Sequence, residues 1–109
     1  MAKGILLALT NPVSPEREDE FNHWYNEVHG VEATGFAGFQ SMTRYRLKAQ
    51  VVPPSDKPKF SYLAFYELDD IDKAFKSLAE GASKFSMSDS VDLQGALGMV
   101  FEKIYSTKD

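Results

Sequence analysis

Apolar residues in this chain recur first at strand spacing, then at helical spacing, then at strand spacing twice over, after which the helical and strand patterns return once each. A 109-residue chain with that order of periods has few ways to bury its apolar faces. The first run, Ile5-Leu6-Leu7-Ala8-Leu9, is apolar at both parities and stops at Asn11-Pro12, which suits a strand covered on both faces. Ser14-Pro15-Glu16 then supplies a capping side chain, a proline for the first helical position and an acidic first turn. Phe21, Trp24, Val28 and Val31 continue at helical spacing, and Gly30 and Gly35 mark the helix end.

Across 39–47, Phe39, Ser41, Thr43, Tyr45 and Leu47 alternate with Gln40, Met42, Arg44 and Arg46, so this strand has one polar face. Segment 50–59 carries Pro53, Pro54 and Pro58 and reads as a loop. Residues 60–68 form the next strand, with Phe60, Tyr62, Ala64 and Tyr66 on one side. Asp69-Asp70 cap a second helix whose apolar positions Ile71, Ala74, Phe75 and Leu78 run to Gly81. Residues 82–94 read as a loop with room for a short helix, 97–105 as a closing strand, and 106–109 as a polar tail.

The order β-α-β-β-α-β predicts a single α+β domain over residues 1–109. Its form is ferredoxin-like, a four-stranded antiparallel sheet with two helices on one face. The strands carry large apolar residues at both parities, so the face away from the helices needs a cover. Pairing of two copies into a homodimer supplies it.

Charge and composition narrow the partners. Sixteen acidic residues against twelve basic ones give a net charge of −4, with Lys and Arg scattered, so nucleic acid is not an expected partner. No cysteine is present, which excludes disulfides, thiolate metal sites and cysteine nucleophiles and fits a cytoplasmic protein. The N-terminal apolar run is too short for a signal peptide, and no stretch reaches the roughly 20 apolar residues that cross a bilayer. No membrane association is expected.

Glu20-Phe21-Asn22-His23-Trp24-Tyr25-Asn26-Glu27-Val28-His29 on the helix, followed by Gly38-Phe39-Gln40-Ser41-Met42-Thr43-Arg44-Tyr45-Arg46-Leu47 on the strand, resembles the EthD-like family of the dimeric α+β barrel superfamily. The resemblance covers the first half of the chain; the second half agrees in the order of its elements. It implies a dimeric α+β barrel, in a superfamily that includes polyketide cyclases, small cofactor-independent monooxygenases, isomerases, haem-degrading enzymes and proteins of unassigned role. Where the family pattern has Leu-Pro-Glu after the histidine, this chain has Gly30-Val31-Glu32, so the geometry just after His29 is expected to differ.

Of the two histidines, His23 falls on the far side of the helix from the apolar stripe and is expected to face water. His29 falls on a shoulder beside Tyr25 and Asn22. Helix-end position and the neighbouring Glu27 and Glu32 are expected to raise its pKa, which suits a general acid or base. The plainer reading is a histidine that caps the last carbonyls. A cleft between helix and sheet would receive Tyr62 or Tyr66 from one strand and Tyr45 or Arg44 from another, giving an aromatic pocket for a flat hydrophobic molecule. Each tyrosine has the plainer reading of core packing, and Arg44 and Arg46, on the polar parity, read as surface or interface residues.

No metal-ligand cluster, glycine-rich phosphate loop or nucleophile elbow occurs, and no cofactor is implied. Three functions fit: a cofactor-independent proton-transfer enzyme (isomerase, cyclase, dehydratase or monooxygenase type) with His29 and Tyr25 as catalytic residues and Asn22, Tyr45, Tyr62 and Tyr66 around the substrate; a non-catalytic dimer that binds a hydrophobic metabolite; or, most plainly, a structural homodimer without a pocket.

Overall fold

The computed structural model describes residues 2–108, so Met1 and Asp109, the last residue of the expected polar tail, lie outside it. Strand β1 (Gly4–Thr10) leads through a 3-10 turn at Pro15–Arg17 into helix α1 (Glu18–Trp24). A π-turn over Tyr25–His29 carries that helix on into α2 (Gly30–Thr34). Next come β2 (Phe39–Arg46), a small hairpin of β3 (Gln50–Val51) with β4 (Pro54–Ser55), β5 (Tyr62–Leu68), helix α3 (Ile71–Gly81) and β6 (Leu97–Glu102).

Four strands make one antiparallel sheet in the order β2-β5-β1-β6, the ferredoxin-like arrangement. The proline-rich segment expected as plain loop contains the two-residue ladder of β3 and β4, with Gln50 opposite Ser55. The last strand stops at Glu102, short of the expected 105. No helix among the described residues is long and apolar enough to cross a membrane.

Local chemistry explains most of these boundaries. Asp70 caps α3, its side chain accepting the Lys73 N–H at 3.1 Å. Gly38, at φ +92°, makes the turn into β2 where an added Cβ would stand 2.4 Å from the Ala74 nitrogen, so no larger residue fits there. Ser14 is extended as an N-cap should be, yet its side chain makes no capping bond, and Pro15 opens the helix instead.

The helices cover one face of the sheet. Tyr62, Ala64, Tyr66 and Leu68 of β5 are buried under them together with Phe21, Trp24, Tyr25, Ala33, Phe39, Ile71 and Ala74. Phe75, expected in that core, is 52% exposed, because only Ile71, Ala74 and Leu78 of α3 reach the sheet. On the opposite face Leu97, Met99 and Phe101 of β6 lie exposed beside half-buried Ile5, Leu7 and Leu9 of β1 and Leu63 and Phe65 of β5.

Two irregularities decide which side chains enter the helix-facing layer. The first is the π-turn, in which the Gly30 N–H reaches back to the Tyr25 carbonyl. One extra residue per turn rotates everything after it by roughly 100° relative to an uninterrupted α-helix. Gly30 and Ala33 therefore face inward, and Val31, expected on the apolar stripe, is 64% exposed. The second is a bulge in β2, where the register with β5 shifts between Phe39 and Ser41. Phe39 faces the helices, but past the extra residue the inward parity passes to Met42 and Arg44, and Tyr45 turns to the other face.

Candidate functional site

His29 sits at the end of the π-turn, not at a helix C-terminus, because the helix continues through Thr34. Its ring stacks on Trp24, with centroids 4.6 Å apart and planes at 16°, and meets the edges of Tyr25 at 5.4 Å and Phe85 at 4.9 Å. Nδ1 is buried with no hydrogen-bond partner. Burial pulls the imidazole pKa below its ordinary value, and the Glu32 carboxylate opposes this only in part. The expected upward shift is thus reversed: desolvation outweighs the neighbouring negative charge, and the helix end that was to favour the cation is a turn further on. His23 is exposed, as expected.

Beneath His29 lies a recess of about 90 Å³ lined by Leu6, Ala8, Ala33, Phe39, Tyr66, Leu78 and Phe85. Its floor is sheet, its roof is helix, and one wall is Phe85 from the irregular segment after α3. That segment is tied down at Ser86: the Glu32 carboxylate accepts both the Ser86 N–H at 2.9 Å and its hydroxyl at 2.8 Å, and the Trp24 indole donates to the Ser86 carbonyl at 2.6 Å. Arg17 holds the same segment further along by bonding Asp89 while pairing with Glu20 at 2.7 Å.

Of the residues singled out by sequence, His29, Tyr25 and Tyr66 come together. Tyr66 contributes a buried hydroxyl without a partner, and burial pushes its pKa far up, so it is a neutral O–H at any ordinary pH. Burial likewise raises the Tyr25 pKa, opposed by the Thr10 hydroxyl and the Arg44 charge beside it; the Thr10 contact falls short of hydrogen-bond geometry. Tyr62 and Asn22 lie one step away. The Tyr62 hydroxyl donates to Glu18 at 2.6 Å and receives a long contact of 3.4 Å from the Asn22 amide. Tyr45 does not join them, since the bulge has turned it to the far face, where it is 54% exposed.

Of Tyr45 and Arg44, the two residues expected to compete for the second strand's place in the cleft, Arg44 takes it. It is half-buried under α1, its guanidinium carbon 4.4 Å from the Tyr25 ring centre, 5.2 Å from that of Tyr62 and 5.3 Å from that of Phe21. Sequence parity had put it on the surface; the missed signal was the bulge. Trp24 and Phe85 are the other residues that sequence patterning did not assign to the site. Among the described residues, no group of three or more His, Cys, Asp or Glu side chains is gathered where it could hold a metal ion.

The fold of this chain, two helices over a four-stranded antiparallel sheet, is similar to that of a solved protein. A crystal structure of an ethyl tert-butyl ether D (EthD) family protein from Bacillus halodurans C-125 superposes with a TM-score of 0.65, covering 95% of this chain and all of that one. The fold is EthD-like. Identity over the match is 15%, so the likeness speaks for the EthD-like architecture and not for a shared chemistry. No protein-family model matches the sequence, and no curated protein matches it either.

Proposed function

We propose that this protein is a small cofactor-independent enzyme that acts by proton transfer on a hydrophobic, aromatic or polyketide-like molecule held in the recess under His29. One observation carries the reading: His29, whose buried Nδ1 has no hydrogen-bond partner, borders an apolar cavity that is also lined by Tyr66, whose buried hydroxyl has none either. A histidine kept neutral by burial is a proton acceptor near neutral pH, and a neutral tyrosine O–H is a donor toward a developing oxyanion. The expected pairing of His29 with Tyr25 is retained, but Tyr25 acts as the edge-on neighbour that orients the ring and Tyr66 as the donor.

At about 90 Å³ the recess holds on the order of three water volumes, well below the roughly 300 Å³ of ordinary ligand pockets. A ring-sized substrate enters by displacing Phe85, the one wall contributed by an irregular segment. A homodimer formed through the open sheet face accompanies this reading, supported by the exposed Leu97, Met99 and Phe101. A concavity of about 490 Å³, lined by Ile5, Phe65 and Phe101 among others, opens on that face and would lie under the second copy.

The test is turnover of a panel of phenolic and polyketide substrates. His29→Gln is expected to lower kcat by about 100-fold or more while leaving the fold intact by circular dichroism. Unchanged turnover removes His29 from the mechanism; binding of the same compounds with no product from either form favours the second reading, a non-catalytic dimer that binds a hydrophobic metabolite.

A further inference from the structure

Every buried side-chain nitrogen or oxygen that lacks a hydrogen-bond partner among the described residues belongs to Thr10, His29, Arg44 or Tyr66, and all four project into the layer between helix and sheet. Folded proteins leave few such groups, so four gathered in one layer mark a place where something polar is bound. Waters satisfy hydroxyls and an imidazole. A guanidinium is different, because burying a cation without an anion is costly even when aromatic faces surround it.

Arg44 is half-buried, and the edge of its cation that faces inward is Nε and Nη2. Its Nη1 donates to the Asn26 side-chain oxygen at 3.0 Å, while Nε and Nη2 have no acceptor. These two nitrogens lie on the same edge of the guanidinium, where their parallel N–H bonds form the fork that matches the two oxygens of a carboxylate. No carboxylate of the described residues forms an ion pair with Arg44, and that of Glu18 is engaged by the Tyr62 hydroxyl. Cation–π contact with three rings holds the group in place without occupying that edge. Along the sheet the two places are close: Ala8, on the recess floor, pairs with Ala64, and Ala64 pairs with Arg44. Two strand spacings, about 10 Å, separate Ala8 from Arg44 across the sheet.

We propose that the ligand of this site bears a carboxylate, received by the paired Nε–H and Nη2–H of Arg44, while its apolar body occupies the recess beside His29. This rests on the reading above that the recess takes a hydrophobic small molecule, and it adds the charge and the orientation of that molecule. Tyr66, between the two ends, faces the middle of the ligand.

Benzoate and its neutral isostere benzamide are the probes, titrated at neutral pH with the His29 ring resonances reporting occupancy. Benzoate is expected to bind about tenfold or more tightly than benzamide, and Arg44→Gln to bring that ratio to about one with benzamide binding retained. Equal binding of the two by the unaltered protein, or a ratio indifferent to Arg44→Gln, overturns the proposal. Should Arg44→Gln fail to fold, Arg44→Lys decides the matter: an ammonium keeps the charge but not the fork, so the ratio falls if the proposal holds and stays if it does not. Benzamide shifting the His29 signals with no preference for benzoate defeats the carboxylate and leaves the hydrophobic site standing. No shift with either probe defeats both.

Discussion

His29 owes its character to what surrounds it: a tryptophan face, two further aromatic rings at steep angles and no hydrogen-bond partner for Nδ1. Because burial lowers its folded-state pKa beneath the unfolded value of about 6.5, the unfolded chain binds more protons in the interval between the two. The contribution of this residue to stability is therefore full above about pH 6.5 and is lost as the pH falls from there through the folded-state pKa. Thermal melts of the native protein should show a drop in Tm on acidification through about pH 6 that His29→Gln reduces. Equal acid sensitivity in the two forms would mean that the ring is not held neutral. The inversion relative to the sequence expectation has a plain origin. Glu27 and Glu32 were legible as neighbours, but the depth at which the ring would sit was not, and depth set the sign.

At the scale of elements, the docking of the long helical ribbon on β2 depends on Gly30. An added Cβ there would stand 2.4 Å from Met42 Cε, 2.8 Å from its Sδ and 2.9 Å from the Tyr25 carbonyl oxygen. Alanine in place of glycine would ordinarily favour a helix by up to about 1 kcal/mol, yet overpacking costs about 1–3 kcal/mol. The Tyr25 carbonyl, fixed within the π-turn, cannot yield as a side chain can. Gly30→Ala should thus lower stability by about 1–2 kcal/mol in urea denaturation, and adding Met42→Ala should return only part of it. An increase in stability would show that the ribbon can lift from the sheet without loss. The sequence marked Gly30 as a helix stop; the structure uses it as the point of closest approach between helix and strand. The absence of the expected Leu-Pro-Glu after His29 fits this, since a proline at position 31 would lack the N–H that an uninterrupted ribbon uses.

For the whole molecule the open face of the sheet is the dominant unmet demand. Met99 is 39% and Phe101 45% exposed, adjacent to an apolar floor from β1 and β5. Contiguous apolar surface of this kind is uncommon on a protein that remains alone. Native protein is expected to elute and scatter as a dimer at micromolar concentration, and Met99→Lys with Phe101→Glu as a monomer that keeps its circular dichroism. A native monomer under those conditions would leave the face to another occupant. Apolar residues at both parities of β1 and β6 made this face visible in the sequence, because alternation is independent of what lies above or below the strand.

What the amino-acid order determined by itself was the succession of strands and helices, the Asp70 cap, the termination at Gly81 and the need to cover both faces of the sheet; each follows from local propensity or from a period that runs uninterrupted. The tertiary structure alone decided which residues meet in the recess. One extra residue in the π-turn swung His29 from a shoulder to the interior and Val31 outward, and one in the β2 bulge exchanged Tyr45 for Arg44. Such insertions cost little locally and leave no trace in a short periodic pattern. They are selected by the fit of helix on sheet, which involves residues distant in the chain.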